Sequence, residues 1–229
     1  MATSTSTRRT TAVLLITAGL LFAAFPLLRP WADKGGTFPG LLDAMASPLW
    51  VAAHLGGAFA FVALLLAGHG IRALHPDTRG SRAARLGVAA LTVGTGATLL
   101  FYGAETFALH AIATSPPLQA DTLISAVREG PVQLTVFGLG LLLVAAGGVL
   151  LAVAVWRGGR LPRWSAVPLA VAVGLCLPQF FAPPEVRIAH GILTAVAAIW
   201  LASILLRRVP ASPPPPPTQN FASYRDITL

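Results

Sequence analysis

Hydrophobic residues fall into six long segments that short polar or arginine-bearing connections separate. Each segment approaches the roughly 20 apolar residues that an α-helix needs to cross a bilayer, and a spanning helix satisfies its own backbone groups. The pattern therefore predicts an all-α, polytopic membrane bundle of six transmembrane helices within residues 1–208. The approximate bounds of these helices are 11–28, 49–71, 86–111, 132–156, 164–181 and 186–206.

Two of the six segments carry unusual features. Arg8 and Arg9 precede the first apolar run as they would in a signal peptide, but no clear small-x-small cleavage site follows the run. We therefore predict an uncleaved first transmembrane helix. The fifth segment contains Pro168 and Pro178. Because proline lacks a backbone donor and clashes with the preceding turn, this segment is expected to kink or to end early.

The connections also contain local patterns. Residues 38–45 suit a short amphipathic turn at the membrane interface. Asp121 or Thr122 can cap a short helix that runs to Arg128 and carries an apolar side, which we expect to rest on the mouth of the bundle. The tail from 209 to 229 includes five consecutive prolines. Such a run cannot pack a core, so a disordered cytoplasmic tail is predicted.

Composition agrees with membrane placement. The chain is 55% hydrophobic and only 10% charged, with a mean hydropathy of +0.73, whereas soluble domains contain roughly 25% charged residues. The net charge of +8 comes from arginines in short connections, where they set topology. We therefore expect the lipid bilayer, and possible membrane protein partners, rather than nucleic acid. The predominance of arginine over lysine is typical of a GC-rich bacterial genome.

The loop charges predict an orientation. With the N-terminus inside and six spans, the inner segments hold twelve basic residues and the outer segments hold four. Positive residues are enriched in cytoplasmic loops. Both termini are therefore predicted to be cytoplasmic in a multi-pass protein of the cell (plasma) membrane. The four outer basic residues are Arg29, Lys34, Arg128 and Arg187.

The stretch from Thr98 to His110, TLLFYGAETFALH, contains Glu105, the only carboxylate within any of the six segments. A charge inside the bilayer is costly and by default marks a functional site. Tyr102 lies on the same helical face as Glu105 because the two residues are three positions apart. We therefore take Glu105 and Tyr102 as candidate catalytic residues. The alternative role for Glu105 is a structural ion pair or hydrogen bond with a histidine.

Three histidines are predicted to reach the depth of Glu105 in the outer leaflet, namely His54, His110 and His190. Imidazole and carboxylate ligands suit transition metals, so all four residues are candidate metal ligands. Two histidines on different helices would also suit a b-type haem, so His54, His110 and His190 are candidate cofactor ligands. The cofactor itself stays open between haem b and a transition metal.

Three functions follow from this site. The first is a metal- or haem-binding membrane protein for redox chemistry or cofactor handling. The second is a non-catalytic membrane subunit, or a small-solute binder or transporter. The third is an intramembrane enzyme that acts on a lipid or terpenoid, with Glu105 as acid or base. The chain has no His-Glu-x-x-His, Walker or Gly-x-Ser-x-Gly motif that would decide between them.

Overall fold

All regular structure in the described part of the chain is helical, which confirms the all-α fold class. The computed structural model describes residues 2–207, with side chains from residue 5 onward, and the predicted tail at 209–229 lies outside the described residues. The α-helices are α1 (Ala2–Leu28), α2 (Phe38–Ala46), α3 (Pro48–Ala73), α4 (Ser81–Gly103), α5 (Leu109–Thr114), α6 (Ala120–Glu129), α7 (Pro131–Gly158), α8 (Val167–Gly174), α9 (Cys176–Phe180) and α10 (Pro184–Leu206). One π-helical turn, Ala104–Ala108, joins α4 to α5.

Five helical stretches of the described chain are long and apolar enough to cross a membrane. They are Thr5–Leu28, Pro48–Ala73, Ser81–Thr114, Ala120–Gly158 and Pro184–Leu206. Many large apolar side chains on these helices are exposed, among them Val13, Phe59 and Leu100. Such long apolar helices, with apolar outer surfaces, are compatible with an integral membrane protein in contact with lipid.

The fifth predicted segment, 164–181, forms two short helices, α8 and α9, in place of one long helix. The interruption lies at Leu175 and agrees with the kink or early end that the prolines of this segment predict. The cause is Pro178, whose ring would clash with the carbonyl of Gly174, four residues earlier. Helix α8 ends at Gly174 for this reason, and the segment does not count among the five long stretches.

The membrane-type helices pack in a closed ring. Helix α1 packs between α10 and α3, α3 packs on α4, α4 on α7, and α8 joins α7 back to α10. The centre of the ring is an apolar core that includes Leu15, Leu91, Val144 and Leu201. The short helices α8 and α9 therefore stand in the ring position that the predicted fifth span would occupy.

A second, smaller core closes one end of the ring. It consists of Met45, Trp50, Leu109, Ala113 and Ile124. These residues tie α2, α5 and α6 to the start of α3, and we refer to α2, α5 and α6 as the cap. Helix α6 presents Ile124 to this core, as its apolar pattern predicts. The cap covers the end of the ring at which Glu105 lies.

Candidate functional site

A cavity lies beneath the cap, inside the ring. The space within it that is open to the centre of a water molecule is about 50 Å³. One water needs roughly 10–15 Å³ on this measure, so the cavity has room for a few waters or a small ligand. Its charged and ionisable lining residues include Arg29, His54, Glu105, Arg128, Arg187 and His190. Aromatic side chains such as Phe61, Phe101 and Phe137 form its deeper wall.

Four of the five residues predicted for the site line this cavity. They are His54, Tyr102, Glu105 and His190. His110 is not among the lining residues, and its Nδ1 lies 2.8 Å from the carbonyl oxygen of Met45. That hydrogen bond connects α5 to α2. His110 thus holds the cap together, whereas the other four side chains border the cavity.

The π-helical turn sets the position of Glu105. The wider turn ends with the amide of Leu109 donating to the carbonyl of Ala104, five residues earlier. The carbonyl of Glu105 accepts a hydrogen bond of 2.7 Å from the indole Nε1 of Trp50. Single π-turns inside α-helices are often found at functional sites. Here the turn allows the indole of Trp50 to connect α3 to the backbone of Glu105.

His54 and Glu105 face each other at a distance too long for a hydrogen bond. Nε2 of His54 lies 3.6 Å from Oε2 of Glu105, and Oε2 has no hydrogen-bond partner among the described residues. Nδ1 of His54 lies 2.7 Å from the carbonyl of Trp50, which can only accept, so Nδ1 carries a proton. The two facing atoms attract each other only when one of them is also protonated.

An ionic chain joins the cap to the ring. Arg128 of α6 donates from Nε to Oε1 of Glu105 at 3.0 Å and from Nη2 to Oδ2 of Asp33 at 3.1 Å. Asp33 also accepts from Nη2 of Arg29 at 2.6 Å. Burial would raise the pKa of Asp33, but Arg29 and Arg128 outweigh it and hold that pKa below its usual value. The Asp33 side chain therefore bridges the two arginines as a carboxylate.

Arg187, in the first turn of α10, differs from the other two cavity arginines. It is 5% exposed, and no carboxylate of the described chain pairs with it. Nε of Arg187 also has no hydrogen-bond partner among the described residues. Its guanidinium carbon lies 5.0 Å from the ring centre of Trp31 and 5.3 Å from that of Phe180. Aromatic faces attract a cation but do not neutralise it.

Trp31 contacts two of these arginines. The guanidinium carbon of Arg29 is 4.4 Å from its ring centre, and that of Arg187 is 5.0 Å from the same point. Nε and Nη1 of Arg29 have no hydrogen-bond partner in the described part of the chain. Three arginines line the cavity, and two carboxylates, Asp33 and Glu105, pair with Arg29 and Arg128. Within the described residues this leaves one positive charge and several guanidinium donors unmatched.

The charge distribution of the sequence carried a signal for these arginines. Of the four basic residues predicted on the outer side, Arg29, Arg128 and Arg187 line the cavity, and Lys34 lies beside it with its ammonium 5.9 Å from the ring centre of Phe180. Burial lowers the pKa of Lys34, and the neighbouring Arg128 lowers it further. The positive-inside rule expects few basic residues in outer segments. The few that the sequence does place there therefore indicated the position of the site.

Within residues 2–207, no group of three or more His, Cys, Asp or Glu side chains is arranged to hold a metal ion. The chain matches no family model, no curated protein and no solved structure in the comparisons made. The fold and site instead define a class on their own terms. It is that of a helical, multi-pass membrane protein with a small, buried and positively charged cavity at one end of its helix ring.

Proposed function

We propose that this protein binds a small oxyanion in the cavity beneath the cap, as a solute-binding membrane protein. The proposed topology has six crossings, with both termini cytoplasmic and the cavity toward the outer side. The observation that supports the proposal is Arg187, a buried guanidinium that has no carboxylate partner within residues 2–207. The ligand would be a carboxylate or another small oxyanion of comparable size.

The energetic argument rests on burial. An unpaired charge removed from water costs several kcal/mol in real proteins, and a guanidinium recovers this best by binding a planar carboxylate through two parallel hydrogen bonds. Arg187 and Arg29 both retain unused donors. A bound anion would satisfy these donors and cancel the excess charge of the cavity.

Charge and size narrow the ligand class. Three arginines against two carboxylates favour an anion over a metal cation, which would be repelled at close range. A volume of about 50 Å³ is well below the roughly 300–1,000 Å³ of pockets for drug-sized molecules. Formate, acetate and similar anions with few non-hydrogen atoms are therefore the proposed ligands.

The rest of the ring favours binding over conduction in this conformation. In the described chain the buried arginines and Glu105 lie near the cap, and the half beyond them is filled mainly by apolar residues such as Leu91, Leu151 and Leu201. An ion could not cross that half without a polar path. Binding at one end of the ring is the activity that this arrangement supports.

The proposal is tested by titrating the purified, detergent-solubilised protein with formate and acetate and measuring the heat of binding. Arg187→Gln removes the unmatched charge and should weaken binding at least tenfold. Arg187→Lys retains the charge without the planar guanidinium donors. Its affinity for the anion should therefore lie between that of the parent protein and that of Arg187→Gln. Arg163→Gln removes an exposed arginine at the far end and should bind like the parent protein.

Two results would overturn this function. One is the absence of any anion binding to the folded parent protein at millimolar concentration. The other is equal weakening in Arg187→Gln and Arg163→Gln, which would point to overall charge rather than to the cavity. Elution as a single symmetrical species in size-exclusion chromatography establishes that each variant is folded.

A further inference from the structure

A second charged concavity lies at the end of the ring opposite the cap. It is formed where α3 ends and α4 begins, and it encloses about 480 Å³. The residues that carry its chemistry are His69, Arg72, His75, Asp77, Ser81 and Arg85, and we call it the basic groove. It is about ten times larger than the cavity beneath the cap and shares no residue with it.

The basic groove is positively charged and its charges are unpaired. Arg72 and Arg85 are exposed, and no ion pair of the described residues includes either. Asp77 is the one carboxylate among its lining residues. Two arginines from other segments, Arg160 and Arg8, add to the positive charge at the groove. Burial is the largest cause of the lowered pKa of His75, and the charges of these two arginines lower that pKa further.

Apolar stripes on both helices lead directly to this charge. Leu66 lies three residues before His69, so the two share a face of α3, and Leu66 is 47% exposed. On α4, Leu86 adjoins Arg85 and Val93 lies two turns further on, with exposures of 51% and 61%. Exposed apolar side chains on long apolar helices suit contact with acyl chains, and a basic groove at the ends of the same helices suits contact with headgroups.

We infer that the basic groove binds the phosphate of an anionic phospholipid, with the acyl chains of that lipid along the exposed stripes of α3 and α4. Arg72 and Arg85 supply charged donors for phosphate oxygens, and basic pockets between membrane helices at this depth suit lipid headgroups. The continuity between charge and apolar surface favours a lipid over free phosphate, since a soluble ion makes no use of Leu66, Leu86 or Val93.

The test is native mass spectrometry of the full chain released from detergent with added lipid. We expect dioleoylphosphatidylglycerol to remain bound at low micromolar concentration and dioleoylphosphatidylcholine to require at least tenfold more. The double variant Arg72→Gln/Arg85→Gln should lose at least tenfold in phosphatidylglycerol affinity. The control Arg79→Gln/Arg163→Gln removes the same charge from exposed positions outside the groove and should change affinity less than twofold.

Three outcomes would overturn the inference. Equal binding of the two lipids would show that headgroup charge is not recognised. Equal losses in the two double variants would assign the effect to net charge. Displacement of phosphatidylglycerol by millimolar inorganic phosphate would make the groove a site for the free ion. None of these results bears on anion binding beneath the cap, which Arg187 tests separately.

Discussion

At the scale of single residues, Glu105 meets three side chains from two other helices, α3 and α6. Its carbonyl accepts from Trp50 of α3, its Oε1 accepts from Arg128 of α6, and its Oε2 faces His54. The carboxylate thus couples the cap to the ring. It also sets the charge of the cavity, because it offsets one of the three arginines.

These two roles predict opposite effects of Glu105→Gln. Stability should fall by about 1–3 kcal/mol because Arg128 loses a buried, charge-assisted partner. Affinity for a small anion should instead rise several-fold, since the cavity gains one unit of positive charge. Thermal unfolding and calorimetric titration in the same detergent measure the two quantities.

Glu129→Gln is the matched control because Glu129 is an exposed carboxylate on the same short helix as Arg128. Its stability should stay within about 0.5 kcal/mol of the parent. If Glu105→Gln lowered anion affinity together with stability, the carboxylate would be part of the binding surface rather than a charge that opposes binding.

The residue scale also shows what the sequence can reveal about a buried site. Glu105 and His54 could be predicted as site residues because a polar residue inside an apolar segment stands out in the linear sequence. Asp33 and Arg128 lie in connections, where charged residues are ordinary, and their convergence on Glu105 depends on how the connections fold back. No periodic pattern in the sequence predicts how a connection folds back onto the ring.

At the scale of elements, α4 and α7 approach closely because glycines face each other. A methyl group at Gly94 would lie 2.7 Å from the carbonyl oxygen of Gly140 and 2.7 Å from the amide nitrogen of Val144. Both are backbone atoms, which cannot rotate aside. Small residues at such positions allow membrane helices to pack backbone to backbone.

Gly94→Ala is therefore expected to destabilise the protein by about 1–3 kcal/mol, as overpacking does in tightly packed interiors. Gly96→Ala is the control, because a methyl group there meets nothing within 4 Å, and it should leave stability unchanged or slightly higher. Thermal unfolding in detergent compares the two variants. Equal stability in both would mean that α4 and α7 do not meet at Gly94.

Element boundaries were predictable to different degrees. Apolar length was sufficient to locate the long helices, and Pro178 accounts for the break between α8 and α9. The π-helical turn at Ala104–Ala108 was not predictable. The turn contains no proline or glycine that would indicate an extra residue. Its stabilising partner, the indole of Trp50 that donates to the carbonyl of Glu105, lies 55 positions away in the sequence.

At the scale of the whole molecule, the proposed topology makes α8 and α9 together the fifth crossing. Single cysteines in a Cys176→Ala background test this with a membrane-impermeant maleimide. Leu118→Cys and Glu185→Cys should label in intact expressing cells, whereas Arg79→Cys and Arg163→Cys should label only after permeabilisation. Arg163 and Glu185 are the two sites that bracket α8 and α9.

Labelling of Arg163→Cys and Glu185→Cys from the same side would reduce the crossings to five and place one terminus outside. Labelling of Arg79→Cys in intact cells would show that the orientation is the reverse of the proposed one. Either result would leave the closed ring intact, since the packing of α8 between α7 and α10 does not depend on which side faces the cytoplasm.

The ionic chain between cap and ring also has a consequence for membrane insertion. In the proposed orientation, the four outer basic residues must cross a membrane whose potential opposes them by about 2.3 kcal/mol per charge at 100 mV. Six of the eight acidic residues, Asp33 and Glu105 among them, cross to the same side. Four positive and six negative charges give a net charge of −2, so the potential favours the transfer of the outer segments as a whole. The carboxylates that neutralise the arginines in the folded site also reduce the electrical cost of delivering them there.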